Sequence, residues 1–322
     1  MAGFILRRLA ASLLLFLLVL SVTFFLLHLI PGSPLNLAED SRLPREAREN
    51  LRRIYGLDRP LPEQYLTWLS SVALRGDWGP SLSQQRPVTS AIAAALPGTL
   101  LLASAALFIE FGVGLLLGVA AARRPGSAVD HAIRIGSLLL YSQPVFWLGL
   151  MAILLFSYIW PILPASHLRS VDADTMGFGA RSLDLLRHLV LPAGVMGLRS
   201  AGGTARFVRA SLLEVMGRDY IRTARAKGLS ERRVVWAHGL RTALVPLIQL
   251  FALSLPALLS GSLIVEIVFS LPGIGRLAFD AILARDYPLI LGVVAFSAVI
   301  VLLGNLLADL LHAVADPRVR DA

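Results

Sequence analysis

The chain has 322 residues, of which 56% are hydrophobic and only 16% charged, with a mean hydropathy of +0.70; water-soluble domains are rarely so apolar, so the useful count is of membrane spans. It has no cysteine, which excludes disulfides and thiolate chemistry. The net charge of +9 rests on 29 Arg and one Lys against 21 Asp and Glu, and in so apolar a chain that excess reads as loops held in the cytoplasm rather than as a nucleic-acid surface.

A helix needs about 20 mainly apolar residues to cross the hydrocarbon core, and six stretches qualify, predicting an all-α integral membrane protein. After a short N-terminus, residues 1–8, the first span covers residues 9–30. Its apolar run is longer than a signal-peptide core, and no small-residue cleavage site follows, so it reads as a retained helix. Pro31-Gly32-Ser33-Pro34 ends it. Residues 31–95 form a polar segment outside the membrane. Within it a charged helix is predicted over Pro44–Tyr55, stopped by Gly56, and a second over Glu63–Leu74. On the second, Tyr65, Trp68, Leu69 and Val72 share one face, suited to the membrane surface or to the spans beneath. Val88–Ala95 leads into span two, residues 96–122, with Pro97 near its start, where a missing N–H costs little. Gly112, Gly114 and Gly118 in this span suit close helix packing.

Beyond it the chain reads as a loop at 123–134, span three at 135–160, an outer loop at 161–187 and span four at 188–213. A loop at 214–242, span five at 243–269, an outer loop at 270–288, span six at 289–313 and a tail at 314–322 complete it. Span four is the least apolar. Its run Leu189–Leu198 gives way to Arg199, Ser200 and Gly202-Gly203, so its helix is expected to continue out of the membrane towards Glu214. Seventeen Arg and Lys fall on the side of the termini and thirteen on the other, eight of these within residues 31–95. Long segments translocate largely regardless of charge, so the comparison that matters is seventeen with five, and it places both termini in the cytoplasm.

Catalytic motifs are missing. A Walker A loop needs Gly-x-x-x-x-Gly-Lys-Ser/Thr, and the only lysine, Lys227, lies between Ala226 and Gly228. None of the six histidines pair at metal-site spacing, and Gly-x-Ser-x-Gly does not occur. No enzyme chemistry and no metal site are therefore expected.

The strongest signal is the loop after span four. Glu214, Arg218, Arg222 and Arg225 recur at four- and three-residue steps, predicting a charged stripe on a helix. Gly228 has the position of a helix stop, and Ser230 that of the N-cap of a second helix running into span five. Two helices meeting at a glycine make a stiff knuckle that can transmit a push. A basic loop is also what topology alone requires of a membrane protein.

The motif Arg222-Thr223-Ala224-Arg225-Ala226-Lys227-Gly228-Leu229 closely resembles the cytoplasmic coupling loop of the dipeptide/oligopeptide/nickel group of ABC importer permeases. Motifs resembling the same group follow in the same order along nearly the whole chain. They are Gly56-Leu57-Asp58-Arg59-Pro60-Leu61, Gln64-Tyr65, Gly76-Asp77-Trp78-Gly79, Arg86-Pro87-Val88 and Pro144-Val145-Phe146-Trp147-Leu148. Further on come Glu266-Ile267-Val268-Phe269, Leu271-Pro272-Gly273-Ile274-Gly275-Arg276, Arg285-Asp286-Tyr287-Pro288 and Asp316-Pro317-Arg318-Val319-Arg320. The chain departs from the wider importer motif, Glu-Ala-Ala with Gly four residues on. Arg222 replaces its acid, so an acid-dependent contact to the ATPase is not carried over.

The resemblance implies the type I ABC importer permease fold in a bacterial inner membrane, and a B-type subunit of a peptide system. It implies four kinds of partner: a homologous second permease, two ATP-binding subunits, an external substrate-binding protein and the lipid bilayer. ATP and Mg would sit on the ATP-binding subunits, with no cofactor on this chain. The loop would dock on an ATPase through Tyr220, Arg222, Thr223, Ala224, Arg225, Ala226, Lys227, Gly228, Leu229 and Ser230. Glu214, Gly217 and Asp219 would shape the helix leading in. Di- or oligopeptides are the leading substrate, with a nickel chelate or glutathione-type peptides as alternatives.

Polar residues inside spans are expensive and point to function or pairing. Glu110 reads either as a partnered carboxylate at a helix interface or as a proton relay, and Glu266 as interfacial or gate-like. Arg199, Arg206 and Arg209 share one face of helix four, either lining a vestibule that attracts an anionic group or anchoring the cytoplasmic end. An ion-coupled secondary transporter, the rival reading, rests on Glu110 and Glu266 alone.

Overall fold

A computed structural model describes residues 2–29, 46, 59–243, 247, 250–251, 253–254 and 262–315. The helix expected over Pro44–Tyr55 (Glu46 apart) and about half of span five lie outside these residues. Two compact units divide the chain, Met1–Pro97 with Gly273–Leu302, and Gly98–Pro272 with Leu303–Ala322. Two of the three boundaries fall inside long helices, α3 (Val88–Arg123) and α11 (Tyr287–Ala315), and the third between Pro272 and Gly273.

The first unit begins with α1, Ala2–Leu29, an uninterrupted helix from which Ser21 and Thr23 return their hydroxyls to the carbonyls four residues back. Such back-bonding is how a polar side chain is tolerated in an apolar helix. Helix α2, Leu61–Ser70, continues as a π-helical turn, Ser71–Arg75, and stops at Gly76 with φ of +63°. Its Tyr65 and Trp68 meet Phe24 of α1 at ring-centroid distances of 5.3 and 5.6 Å, and the Tyr65 hydroxyl lies 2.6 Å from Ser21 Oγ. The shared aromatic face of α2 thus packs on the first helix.

A two-stranded hairpin follows, β1 (Pro80–Ser81) antiparallel to β2 (Arg86–Pro87). The hairpin is held by one buried carboxylate: Asp286 Oδ2 accepts from Ser81 Oγ at 2.6 Å, Ser83 N at 2.9 Å and Ser83 Oγ at 2.8 Å. Its other oxygen accepts from Leu289 N at 3.1 Å and so satisfies a free amide in the first turn of α11. Val88, Ile92, Leu277, Ala281, Leu289 and Val293 form the core of this unit, with Leu277 and Ala281 on α10 (Ile274–Leu283).

In the second unit α3 ends at Arg123. Because α3 starts at Val88, Pro97 is an interior residue of the helix rather than one near its start. Span three is not one straight helix. Helix α4 (Ala128–Ser142) is capped by Ser127 and therefore begins within the expected loop at 123–134. It meets α5 (Val145–Ile153), extended by a π-helical segment Leu154–Ile159, at an angle of 100°. Pro144 excludes helical backbone from the residue before it, and Gln143 is extended, with φ of −80° and ψ of 141°.

Span four sits inside α6, Phe178–Met216, a continuous helix of 39 residues. At 1.5 Å per residue it is about 58 Å long, roughly twice the hydrocarbon thickness. Three helical stretches among the described residues, Arg7–Leu29, Val88–Arg123 and Tyr287–Leu307, are long and apolar enough to cross a membrane, or four if the bent α4–α5 pair counts as one. Span six, predicted at 289–313, lies within α11.

Helices α3 and α6 touch backbone to backbone. A Cβ on Gly114 would lie 2.7 Å from Thr204 Cβ, and one on Gly118 2.6 Å from Val208 Cβ and 2.7 Å from the Ala205 carbonyl. Gly112 departs from the expectation for this trio: nothing lies within 4 Å of its missing Cβ. Small residues at a membrane helix interface gain contact by letting the main chains approach. Gly118→Ala is therefore expected to lower the thermal midpoint in detergent, at about 1–3 kcal/mol for overpacking, while Gly112→Ala leaves it level or slightly raised.

Candidate functional site

The polar knuckle grows from the far end of α6. Gly217 closes the helix, its N–H bonded to Glu214 O at 3.2 Å. Arg218 is extended, with φ of −74° and ψ of 149°, and α7 begins afresh at Asp219 and runs to Ala226. The expected stripe from Glu214 to Arg225 is therefore interrupted. Arg218 pairs back to Glu214 at 2.7 Å, and Arg222 lies 3.6 Å from Asp219. Both pairs are exposed, so each contributes about 0–1 kcal/mol.

What seats α7 is its apolar side. Ile221 is fully buried and Ala224 nearly so, and they pack on buried Val234 with Met216 and Leu229 beside them. A short helix, α8 (Glu231–Arg233), then runs into a π-helical segment, Val234–Gly239. Ser230 occupies the N-cap position of α8, but its side chain makes no capping bond.

The turn between α7 and α8 is a Schellman motif. Leu229 N bonds to Ala224 O at 3.4 Å and Gly228 N to Arg225 O at 2.9 Å. Leu229 adds the apolar contact that accompanies this motif. Gly228 has φ of +75°, a left-handed conformation that costs any residue with a Cβ. Across the turn the Arg225 guanidinium grips Glu231 with two bonds, Nη2 to Oε1 at 2.7 Å and Nε to Oε2 at 3.2 Å. Those bonds from Arg225 hold the Glu231 carboxyl below its ordinary value. The Tyr220 hydroxyl donates to Thr242 Oγ1 at 3.1 Å, and Thr223 Oγ1 to Asp219 O at 3.1 Å. Tyr220, Arg222, Thr223, Ala226 and Lys227 are exposed. Behind the clasp a cavity of about 490 Å³ is walled by Arg225, Glu231, Arg123, Arg124, Leu213 and Met216.

Glu231 carries no role in the sequence reading beyond starting a helix, yet it is the residue that closes the turn. Its signal is opposite charge on the two sides of a helix-stopping glycine.

The other candidate residues lie apart from the knuckle in chain position. Glu110 is buried, with Thr204 Oγ1 donating to Oε1 at 3.1 Å and Ser254 Oγ at 3.5 Å. Glu266 is fully buried in α9 (Leu263–Val268) and accepts from Thr99 Oγ1 and Ser262 Oγ, each at 2.8 Å. Of the three candidate arginines, all on α6, Arg209 makes a two-pronged pair with fully buried Asp130, both bonds at 2.7 Å. Arg199 and Arg206 do not share that fate. Their guanidinium carbons lie 5.2 and 5.8 Å from the centroid of the Tyr141 ring. Asp130 and Tyr141 escaped sequence reasoning, because only the fold of α4 against α6 brings them to these arginines.

Compared with known families, residues 114–321 match the one described as "Binding-protein-dependent transport system inner membrane component", and residues 1–103 its N-terminal counterpart. The chain is similar to the oligopeptide transport system permease protein AppB of Bacillus subtilis (strain 168), with 38% identity over 99% of both chains. It is also similar to the di/tripeptide transport system permease protein DppB of Pseudomonas aeruginosa (strain UCBPP-PA14), with 40% identity and 99% coverage of each. The dipeptide transport system permease protein DppB of Escherichia coli (strain K12) shows 37% identity at the same coverage.

The clasp should be acid-sensitive. Glu231 titrates lower folded than unfolded, so its contribution is complete above the ordinary glutamate value and is lost as pH falls through the depressed one. Protection factors against hydrogen exchange at Gly228 and Leu229 are expected to stay high at neutral pH and to drop only below that range. In Glu231→Gln the protection factors should be low at neutral pH as well, with their pH step removed.

Proposed function

The chain belongs to the family of inner-membrane components of binding-protein-dependent transport systems, and from that premise we propose that it is the permease subunit of an ATP-driven peptide importer. In this reading it forms half of the translocation pathway for di- or oligopeptides, the cargo named for its relatives. The second half comes from a homologous permease. Two ATP-binding subunits carry ATP and Mg, and an external binding protein delivers the peptide.

The observation that carries the reading is the knuckle. Helix α7 is anchored on one side by Ile221 and Ala224, clamped at its end by Arg225 and Glu231, and exposed on the other through Tyr220, Arg222, Thr223 and Lys227. A rigid short helix at the tip of a 39-residue one is suited to receive the movement of a soluble motor. Closure of the ATP-binding subunits would bias a bistable helix bundle through that contact. The topology that goes with it has six spans, residues 31–95 outside and both termini in the cytoplasm. Arg199 and Arg206 stand on the pathway and Glu266 at its outer gate. Glu110, faced by hydroxyls of Thr204 and Ser254, serves as a tie between helices rather than as an ion relay.

Affinity purification of the tagged chain in mild detergent is expected to bring down a second permease and ATP-hydrolysing subunits. Arg225→Ala with Gly228→Ala should then lower both peptide uptake and binding-protein-stimulated ATP hydrolysis by about tenfold, within the usual range of coupling energies, with assembly unchanged. Full uptake and full stimulation in that variant would refute the coupling role.

A further inference from the structure

We propose that Tyr141, Arg199 and Arg206 form a way-station for the terminal carboxylate of the transported peptide; the ligand rests on the peptide-importer reading above. The case begins with charge. Two guanidiniums lie against one aromatic ring, at 5.2 and 5.8 Å from its centroid. An aromatic face attracts a cation through its quadrupole, but two cations on one ring repel each other, and among the described residues no carboxylate pairs with either. Arg199 makes one long hydrogen bond, Nε to Gln143 O at 3.4 Å, and Arg206 makes none among those residues. Ring contact consumes no N–H bond, so most of their N–H donors stay unspent.

The contrast with Arg209 sharpens this. It lies one turn further along α6, and its charge is fully committed to the buried carboxylate of Asp130. Had the upper two arginines been structural anchors of the same kind, a similar acid would be expected beside them. They are instead left as a cationic pair, Arg206 exposed and Tyr141 52% exposed.

The backbone at the same place is also special. The 100° break between α4 and α5 falls at Gln143 and Pro144, and the Gln143 carbonyl is the group that Arg199 reaches. Non-helical backbone at membrane depth is tolerated where it is buried in protein or lines a watery cavity. Unneutralised guanidiniums beside that break, with Arg206 exposed, describe a place where an anion can pass.

The anion's identity follows from the cargo class. Peptides of differing sequence share a terminal carboxylate, a terminal ammonium and backbone amides. Guanidinium edges match a carboxylate with two parallel bonds and repel the ammonium. A half-exposed site with no third ligand holds that carboxylate weakly, and a conduction pathway needs stations that also let go.

The test uses the complete transporter in proteoliposomes with its binding protein saturated in turn by a free-acid peptide and by the same peptide as its C-terminal amide. The ratio of the two uptake rates is compared between wild type and Arg199→Gln/Arg206→Gln. Any preference of the binding protein itself is common to both transporters and cancels. The double variant is expected to shrink the acid-to-amide ratio on the order of tenfold, the scale of one hydrogen bond to a charged group, with binding-protein-stimulated ATP hydrolysis retained. Arg199→Lys/Arg206→Lys, which keeps both charges, should restore part of the ratio. If the Gln pair does not assemble, Arg206→Gln alone, which alters an exposed side chain, is scored by the same ratio. An unchanged ratio, or an equal loss for both peptides, overturns the station alone. Failure of the wild type to import either peptide overturns the peptide reading and the station's ligand with it.

Discussion

Hydrocarbon offers no partner to a backbone amide or carbonyl, and that constraint governs what this chain can be. It explains why the long elements α1, α3, α6 and α11 are continuous, and why serines and threonines within α1 turn their hydroxyls back onto their own helix. It also fixes the meaning of the exceptions. Where Pro144 breaks the pairing, the orphaned Gln143 carbonyl is met by Arg199. Where α11 begins, a free amide is met by Asp286, which also gathers the hairpin serines. Both of these exceptions are answered by a named side chain, and those side chains are among the most informative in the molecule.

With the backbone satisfied, the helices still need a reason to associate, because lipid tails are as apolar as leucine. Gly114 and Gly118 supply it by removing the atoms that would hold α3 off α6. The same contact brings Thr204 to Glu110, so close packing and the burial of a carboxylate are two results of one geometry. At the knuckle the balance is different. Water is available there, exposed ion pairs contribute little, and order comes from burying Ile221, Ala224 and Val234 beneath a glycine turn.

Much of this was legible in the sequence. Hydropathy marked the long helices, and the weakening of span four at Arg199 went with an expected helix continuing towards Glu214, as α6 does in running to Met216. Gly228 announced a left-handed helix end because few other residues tolerate one. The gaps have a common cause. Sequence periodicity reports on one element at a time, so it found the arginines of α6 but not Asp130 or Tyr141, which a different helix presents to them. It joined Glu214 to Arg225 in one stripe because helical spacing is blind to the extended backbone at Arg218. It placed Pro97 at a helix start because apolarity, rather than capping, was used to set that start. Span three was read as one helix because its composition is continuous even though its backbone is not.

The length of α6 has a mechanical consequence. A rod of about 58 Å converts small rotations into large displacements: a tilt of about 5° about one end moves the other by roughly 5 Å, close to one helical turn. The α7 tip and the Arg199 and Arg206 pair lie on, or directly beyond, the same lever arm at different radii. A given swing of the tip therefore moves the arginines by a smaller, fixed fraction. The displacement of the tip and that of the arginines are geared by the residue spacing along a single helix.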